Sequence, residues 1–67
     1  MFNHNLFRAK CVERGLRVTD VARIMGINPA TLSRKMNGVS DFTRNEIQLF
    51  RAALNLTPQE TDAIFFS

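Results

Sequence analysis

Polar and basic side chains recur at helical spacing in the segment that follows Asn28. One face of an α-helix collects positions i, i+3, i+4 and i+7, which here hold Ala30, Ser33, Arg34 and Asn37. A guanidinium such as that of Arg34 can pair bidentately with the O6 and N7 atoms of guanine. Short neighbouring side chains permit the helix to approach the groove of a nucleic-acid duplex closely. This pattern indicates noncovalent recognition through hydrogen bonds.

Residues that could support catalysis or metal binding are sparse. The chain has a single cysteine, Cys11, and a single histidine, His4, and neither has metal-ligand spacing to another side chain. Cys11 lies one helical turn from Phe7, which favours a small buried residue over a reactive thiol. Because no nucleophile-base pair or carboxylate pair is evident, we expect no enzyme, no metal, no cofactor and no small-molecule ligand.

Length and composition predict one small domain that spans residues 1–67. Hydrophobic residues make up 45% of the 67 residues and charged residues 22%, which is typical of a globular protein. No apolar run approaches the roughly 18 residues needed to cross a bilayer, and the first residues do not resemble a secretory signal. We therefore expect no membrane association and a cytoplasmic location.

Positive charge is concentrated in the first part of the chain. Residues 8–35 carry a net charge of +5, whereas the residues from Met36 onward carry −2. This asymmetry fits a protein that turns one face toward a polyanion and another face away from it. Solvated lysines and arginines without any partner are the alternative interpretation.

The apolar residues recur at helical spacing between Gly, Asn and Pro, and they predict an all-α fold with five short helices. Asn28 is suited to cap the third helix, with Pro29 at its first position. The predicted helices, in chain order, are 5–14 ended by Gly15, 18–25 ended by Gly26, 29–36 closed by Asn37 and Gly38, and two that open with the capping boxes 43–46 and 57–60.

Residues 18–37 have the pattern of a helix-turn-helix. Ala22 is small enough for two helices to cross closely, Gly26 frees the backbone in the turn, and Leu32 anchors the second helix in the core. The second helix then turns its opposite face to a major groove. Inward helical positions also predict packing roles, rather than base stacking, for Met25, Met36, Phe2, Phe7, Phe42 and Phe50.

Through the segment VARIMGINPATLSRKMNG, residues 21–38, the sequence resembles the Cro/CI-like (XRE-type) helix-turn-helix family, and most of all the small Cro-like regulators of Gram-positive phages. The resemblance implies a lambda-repressor-like fold and a repressor that binds double-stranded operator DNA as a homodimer, in a bacterial or phage-infected cell. The sequence departs from that family where Arg17 replaces a capping Thr and Val18 a Gln. Lys35 replaces an apolar residue, which implies either a tilted recognition helix or Met36 in the core.

Arg34 is the leading candidate for base readout. Other candidates for base or phosphate contact, carried by the third helix, are Asn28, Pro29, Ala30, Thr31, Ser33 and Asn37. Asn28 is equally well explained as a helix cap. Candidates for phosphate contact alone are Arg17, Lys35, Thr43 and Arg44. A solvated side chain is the alternative for Arg17.

The apolar end of the chain offers a second type of surface. Ile64, Phe65 and Phe66 are the predicted dimer contact, with a role in the core as the alternative. The competing function is a protein-interaction module, an adaptor or antitoxin-like protein, that uses this apolar tail. The basic, short-chained face around Arg34 favours DNA over that alternative, because an adaptor has no need of it.

Overall fold

A computed structural model describes residues 1–66, and within them the chain forms five α-helices and no strand. The predicted all-α class is confirmed. The helices are α1 (His4–Glu13), α2 (Val18–Met25), α3 (Pro29–Met36), α4 (Arg44–Ala53) and α5 (Pro58–Phe65). α1 begins one residue before its predicted start because the Asn3 side chain caps it, accepting a 3.0 Å hydrogen bond from the Leu6 amide.

The predicted caps start three of the helices. The Asn28 side chain accepts a 2.8 Å hydrogen bond from the amide two residues later. In α4, Thr43 Oγ1 accepts from the Glu46 amide at 3.1 Å, and Glu46 Oε1 accepts from the Thr43 amide at 2.8 Å. Thr57 and Glu60 repeat this capping box in α5 at 3.1 and 2.9 Å. These reciprocal bonds satisfy first-turn amides that would otherwise lack a partner.

Four helix ends share one backbone arrangement. A residue in the left-handed region follows each of α1 to α4, for example Gly26 with φ 71° and Asn55 with φ 51°. The amide of the next residue then donates to the carbonyl five residues before it. The residues that make these closing bonds are Leu16, Ile27, Val39 and Leu56. Leu16, Ile27 and Leu56 pack back onto the core, whereas Val39 is 72% exposed beside the end of α3.

Twelve buried hydrophobic residues form a core to which all five helices contribute. Val21, Ala22 and Leu32 are fully buried where α2 packs on its neighbours α1, α3 and α4. Met25 and Met36 are also buried, as predicted. Because Met36 is only 7% exposed, it fills the core beside Lys35. The α2–α3 pair is therefore fixed by packing on its inner side.

Five phenylalanines, from both ends and the middle of the chain, form one aromatic cluster. Phe2 lies with its ring centroid 4.9 Å from that of Phe42, and Phe7 meets Phe50 edge to face at 5.2 Å. Phe65 contacts all four of these rings. The predicted packing roles of Phe2, Phe7, Phe42 and Phe50 are confirmed.

The burial of Phe65 corrects the prediction for the chain end. Phe65 is 8% exposed and Ile64 is fully buried, so neither presents a surface to a partner. They take the core role instead, because α5 turns both toward the aromatic cluster and α1. Phe66, at 63% exposed, is the member of the predicted dimer contact that stays on the surface.

Two basic residues of α1 and its C-cap tie this helix to the other end of the chain. Lys10 forms ion pairs with Glu13 and with Glu60 on α5. Its hydrogen bond to Glu60 lowers the pKa of that carboxyl to about 2. Arg14 Nε donates to the Leu54 carbonyl at 2.7 Å, which satisfies the end of α4.

The molecule measures 26 × 24 × 21 Å along its principal axes. Over residues 1–66, no helix is both long enough and apolar enough to cross a membrane.

Candidate nucleic-acid interface

The two faces of α3 differ completely in exposure. Leu32 and Met36 point into the core. Ala30, Ser33, Arg34 and Asn37 are all exposed on the opposite face, as their spacing predicted. An α-helix with its side chains is about 10–12 Å in diameter, which fits the ~12 Å width of a major groove. The outer face of α3, defined here as these four residues, is therefore shaped and placed to enter a groove.

Arg34 is the dominant charged group on the outer face of α3. Its side chain is exposed, and Nη2 donates to Thr31 Oγ1 at 3.3 Å. Arg34 forms no ion pair in the part of the chain that the structure describes. Its remaining N–H donors are thus available to an acceptor outside the chain, such as the O6 and N7 atoms of guanine. Thr31, half-buried, helps to hold the guanidinium.

The two residues at the start of α3 lie on the surface, and one of them also caps the helix. Asn28 and Pro29 are exposed, and Asn28 Oδ1 caps the helix, so the cap interpretation of Asn28 is confirmed. The side-chain amide nitrogen of Asn28 is a donor group on this exposed residue. A contact between Asn28 and DNA remains a prediction.

The start of α2 lacks a side-chain cap. An arginine has no acceptor, so at Arg17 only the reverse half of a capping box exists, in which Asp20 Oδ2 accepts from the Arg17 amide at 2.9 Å. That backbone bond, together with the Arg17 side chain, lowers the pKa of Asp20. The Arg17 side chain itself is 82% exposed. Arg23, whose Nη1 lies 3.6 Å from Asp20 Oδ1, is 77% exposed.

Arg23 is a surface cation that the sequence analysis did not select. It entered only as one of the charges of segment 8–35. Its shared partner, Asp20, gives it a position close to Arg17 on the exposed side of α2. The signal in the sequence is the i, i+3 spacing of Asp20 and Arg23 on a predicted helix.

Thr43 and Arg44 open α4 and are both exposed. The Thr43 hydroxyl accepts the capping bond, and its hydrogen remains available as a donor. Arg44 forms no ion pair among residues 1–66. The structure therefore leaves both predicted phosphate-contact residues accessible at a helix N-terminus, where the helix dipole favours anions.

Lys35 is largely buried, unlike the other residues predicted to contact phosphate, and its own phosphate contact stays a prediction. Its side chain is 12% exposed, and Nζ donates to Glu46 Oε1 at 2.9 Å and to the Asp41 carbonyl at 3.0 Å. The physical reason is its place on α3, one residue beyond Arg34, where the side chain is directed toward the start of α4. Its partners Asp41 and Glu46 could not be predicted from the sequence, because no local pattern connects residues six and eleven positions apart.

A groove runs between α4 and α5 and extends to the start of α4, where Arg44 also lines it. It has a volume of about 480 Å³ and contains the apolar side chains of Phe42, Ile47 and Phe66. Arg51 and Asp62 also line it, both exposed and neither in an ion pair over residues 1–66. Residues 1–66 contain no cluster of three side chains suited to hold a metal ion.

Comparison with known proteins gives one family match. The model of the Cro/C1-type HTH DNA-binding domain matches residues 7–60. The matched range includes all of α2, α3 and α4 and every residue predicted to contact DNA. No curated protein and no solved structure matches the chain significantly.

Proposed function

Because the chain belongs to the Cro/C1-type helix-turn-helix (HTH) DNA-binding domain family, a non-enzymatic family, we propose that it is a sequence-specific transcriptional regulator. In this proposal it is a phage or prophage Cro-like repressor, which binds operator DNA as a homodimer and blocks transcription by occupying its site.

The observation that carries the proposal is the outer face of α3. Arg34 has donors without an internal partner, and the neighbouring Ala30 and Ser33 are short, so the helix backbone can approach the base edges. Arg34 reads a guanine, and Ala30 lies against a thymine methyl group. Asn37 and Asn28 at the two ends of the helix complete the contact surface with polar groups.

Phosphate contacts flank the base contacts in this proposal. Arg17 at the start of α2 and the Thr43-Arg44 pair at the start of α4 supply exposed donors and positive charge. Arg23 adds a further exposed cation. Contacts of this kind set the register of the protein on DNA and carry most of the salt dependence of its affinity.

The dimensions of the molecule support a homodimer if the operator has two half-sites. The longest axis of the chain is 26 Å, shorter than the ~34 Å that separates successive major grooves on one side of DNA. Two half-sites therefore require two copies. We assign the contact to the α4–α5 groove, because it combines the exposed Phe66 with Arg51 and Asp62, two charges of opposite sign that a self-complementary contact can pair between copies.

The test of the proposal is selection from a library of random duplexes at two salt concentrations. Wild type should enrich a two-fold symmetric site, and Arg34→Ala should lose selectivity at one base pair in each half-site. Arg8→Ala is the matched control: it removes the same charge from the exposed surface of α1 and should leave the selected site unchanged. Weak, unselective binding that Arg34→Ala leaves unaltered would overturn the proposal and favour a protein partner at Phe66.

The dimer contact is tested separately by analytical ultracentrifugation. Wild type should sediment as a dimer, and Phe66→Ser should sediment as a monomer with an unchanged circular dichroism spectrum, because Phe66 is 63% exposed. Equal association constants for the two proteins would show that the second copy binds elsewhere.

A further inference from the structure

We infer that Lys35 is a positioning residue for DNA recognition: it fixes the outer face of α3 relative to the first turn of α4 and does not itself contact DNA. The inference rests on the proposed DNA-binding function. It concerns the α3–α4 junction, defined here as Lys35, Asp41, Thr43 and Glu46.

Three hydrogen bonds converge at the α3–α4 junction. Lys35 Nζ donates to Glu46 Oε1 at 2.9 Å and to the Asp41 carbonyl at 3.0 Å. The same Oε1 accepts from the Thr43 amide at 2.8 Å. One carboxylate oxygen thus joins the last turn of α3 to the N-cap of α4, and the lysine also holds the loop between them.

Burial makes it costly for Lys35 to leave this junction. The side chains of Lys35 and Glu46 are 12% and 16% exposed. A lysine that swung out to a phosphate would leave the shielded carboxylate without its cation. Burial raises the pKa of Glu46, but hydrogen bonds from the Thr43 amide and from Lys35 outweigh this and lower it overall. The carboxylate is therefore charged and bound at neutral pH.

The junction is the direct polar link between two surfaces that must meet DNA together. α3 packs mainly on α2, while α4 packs on α2 and α5. Arg34, on α3, and Arg44, on α4, are therefore linked in two ways, by the packing of both helices on α2 and by the hydrogen bonds of Lys35. A fixed spacing between the base-reading helix and the phosphate-binding helix N-terminus lets both sets of contacts form at once.

The testing variant is Lys35→Met combined with Glu46→Gln. It keeps the net charge at +3, removes the ion pair, and retains an acceptor for the Thr43 amide. Affinity for the selected duplex and for an unrelated duplex is measured over a series of salt concentrations, at a temperature where circular dichroism shows the variant fully folded. We expect about a ten-fold loss for the selected duplex, no loss for the unrelated duplex, and an unchanged salt slope.

Arg44→Ala is the matched control. It removes an exposed cation from the same helix turn and should reduce the magnitude of the salt slope by about 0.9, because one phosphate contact is lost. The single variant Lys35→Met should leave this slope unchanged. A reduction of about 0.9 in Lys35→Met would overturn the inference, since it identifies Lys35 as a phosphate contact.

The same measurements distinguish a positioning role of Lys35 from a purely structural one. In that case the double variant would melt at a lower temperature, but the folded protein would retain its preference for the selected duplex, and this result would overturn the inference. Absence of selective binding by wild type would overturn the proposed function itself. Selective binding by wild type with a reduced slope in Lys35→Met would overturn only the role of Lys35.

Discussion

Arg34 and Lys35 are neighbours in the chain but belong to two regions with opposite properties. On the outer face of α3, the exposed side chain of Arg34 donates one hydrogen bond within residues 1–66, to Thr31. At the α3–α4 junction, Lys35 is 12% exposed and its ammonium holds two acceptors. One cation is left available for a partner, while the other is used inside the molecule. Which of the two roles a basic residue takes depends on the helix face that carries it.

The same contrast applies to the charge of the whole chain. Lys10, Arg14 and Lys35 belong to the segment that carries +5, yet each is bonded to a residue of α4, α5 or the turn between them. Glu46 and Glu60, from the segment that carries −2, supply two of these partners. The predicted separation of charge into two faces is therefore only partly correct. Lys10 and Arg14 join the first helix to the far end of the chain, and Lys35 joins two neighbouring helices.

The largest effect is expected from removing the packing beneath both regions. Leu32 is fully buried under α3, and Leu32→Ala should lower the free energy of unfolding by about 2–5 kcal/mol. A core of this size supplies only about 3–5 kcal/mol, so the variant should be largely unfolded. Ser33→Ala, on the exposed face beside it, should change stability by less than about 0.5 kcal/mol. Urea unfolding followed by circular dichroism measures both, and similar midpoints would contradict the assignment of the two faces.

At the outer face of α3, the substitution Arg34→Lys separates the effect of charge from that of hydrogen-bond geometry. The charge is kept, but a lysine cannot reproduce the planar pair of donors, so affinity for the selected duplex should fall by about 1–3 kcal/mol. Because the charge is unchanged, the salt slope should stay the same. Fluorescence anisotropy titrations give both quantities, with Arg8→Lys as the control. Retention of full selectivity by Arg34→Lys would show that this residue acts only through its charge.

Asn28 lies at the start of α3. Substitutions at this position can separate its role as a helix cap from its predicted contact with DNA. Asn28→Ala removes the cap and should cost about 1 kcal/mol in the free energy of unfolding. Asn28→Asp keeps an acceptor for the helix amide and should retain stability, but its negative charge should weaken DNA binding. Thermal melts and DNA titrations of the two variants form the measurement. A lower melting temperature for Asn28→Asp than for Asn28→Ala would contradict the role of the Asn28 side chain as a helix cap.

The smallest effect is expected at the Lys10–Glu60 pair, a surface counterpart of the α3–α4 junction. The pKa of Glu60 is lowered from 4.5 to about 2 in the folded protein. A lowered pKa means that the pair stabilises the fold above pH 4.5 and that this contribution is lost as pH falls toward 2. Melting temperatures recorded from pH 7 to pH 2 should therefore drop less in Glu60→Gln than in wild type. Parallel curves of melting temperature against pH for the two proteins would contradict a stabilising ion pair between Lys10 and Glu60.

The parts of the fold that the sequence predicted well are those set by neighbouring residues. Asn28, Thr43 and Thr57 mark helix starts because each bonds to an amide two or three residues away. The spacing of Leu32 and Met36 likewise identified the inner face of α3, and so its outer face.

The parts that the sequence did not predict depend on residues far apart in the chain. Lys35 finds Glu46 eleven residues later, and Arg14 reaches a carbonyl forty residues later. The core role of Phe65 depends on Phe2 and Phe7 from the opposite end of the chain and on Phe42 and Phe50 from its middle, which the pattern around Phe65 does not reveal. Periodicity shows that a face is apolar, but not what covers it.

The closing bonds after α1 to α4 span only five residues each, from Leu16, Ile27, Val39 and Leu56 back to their own helices. Such bonds can form before distant parts of the chain meet, so each helix length is set without waiting for the core. Because each bond closes a short loop, its formation costs little conformational entropy. Helical proteins rich in local contacts fold on the microsecond to millisecond scale, and we expect folding in this range once α5 packs on α1.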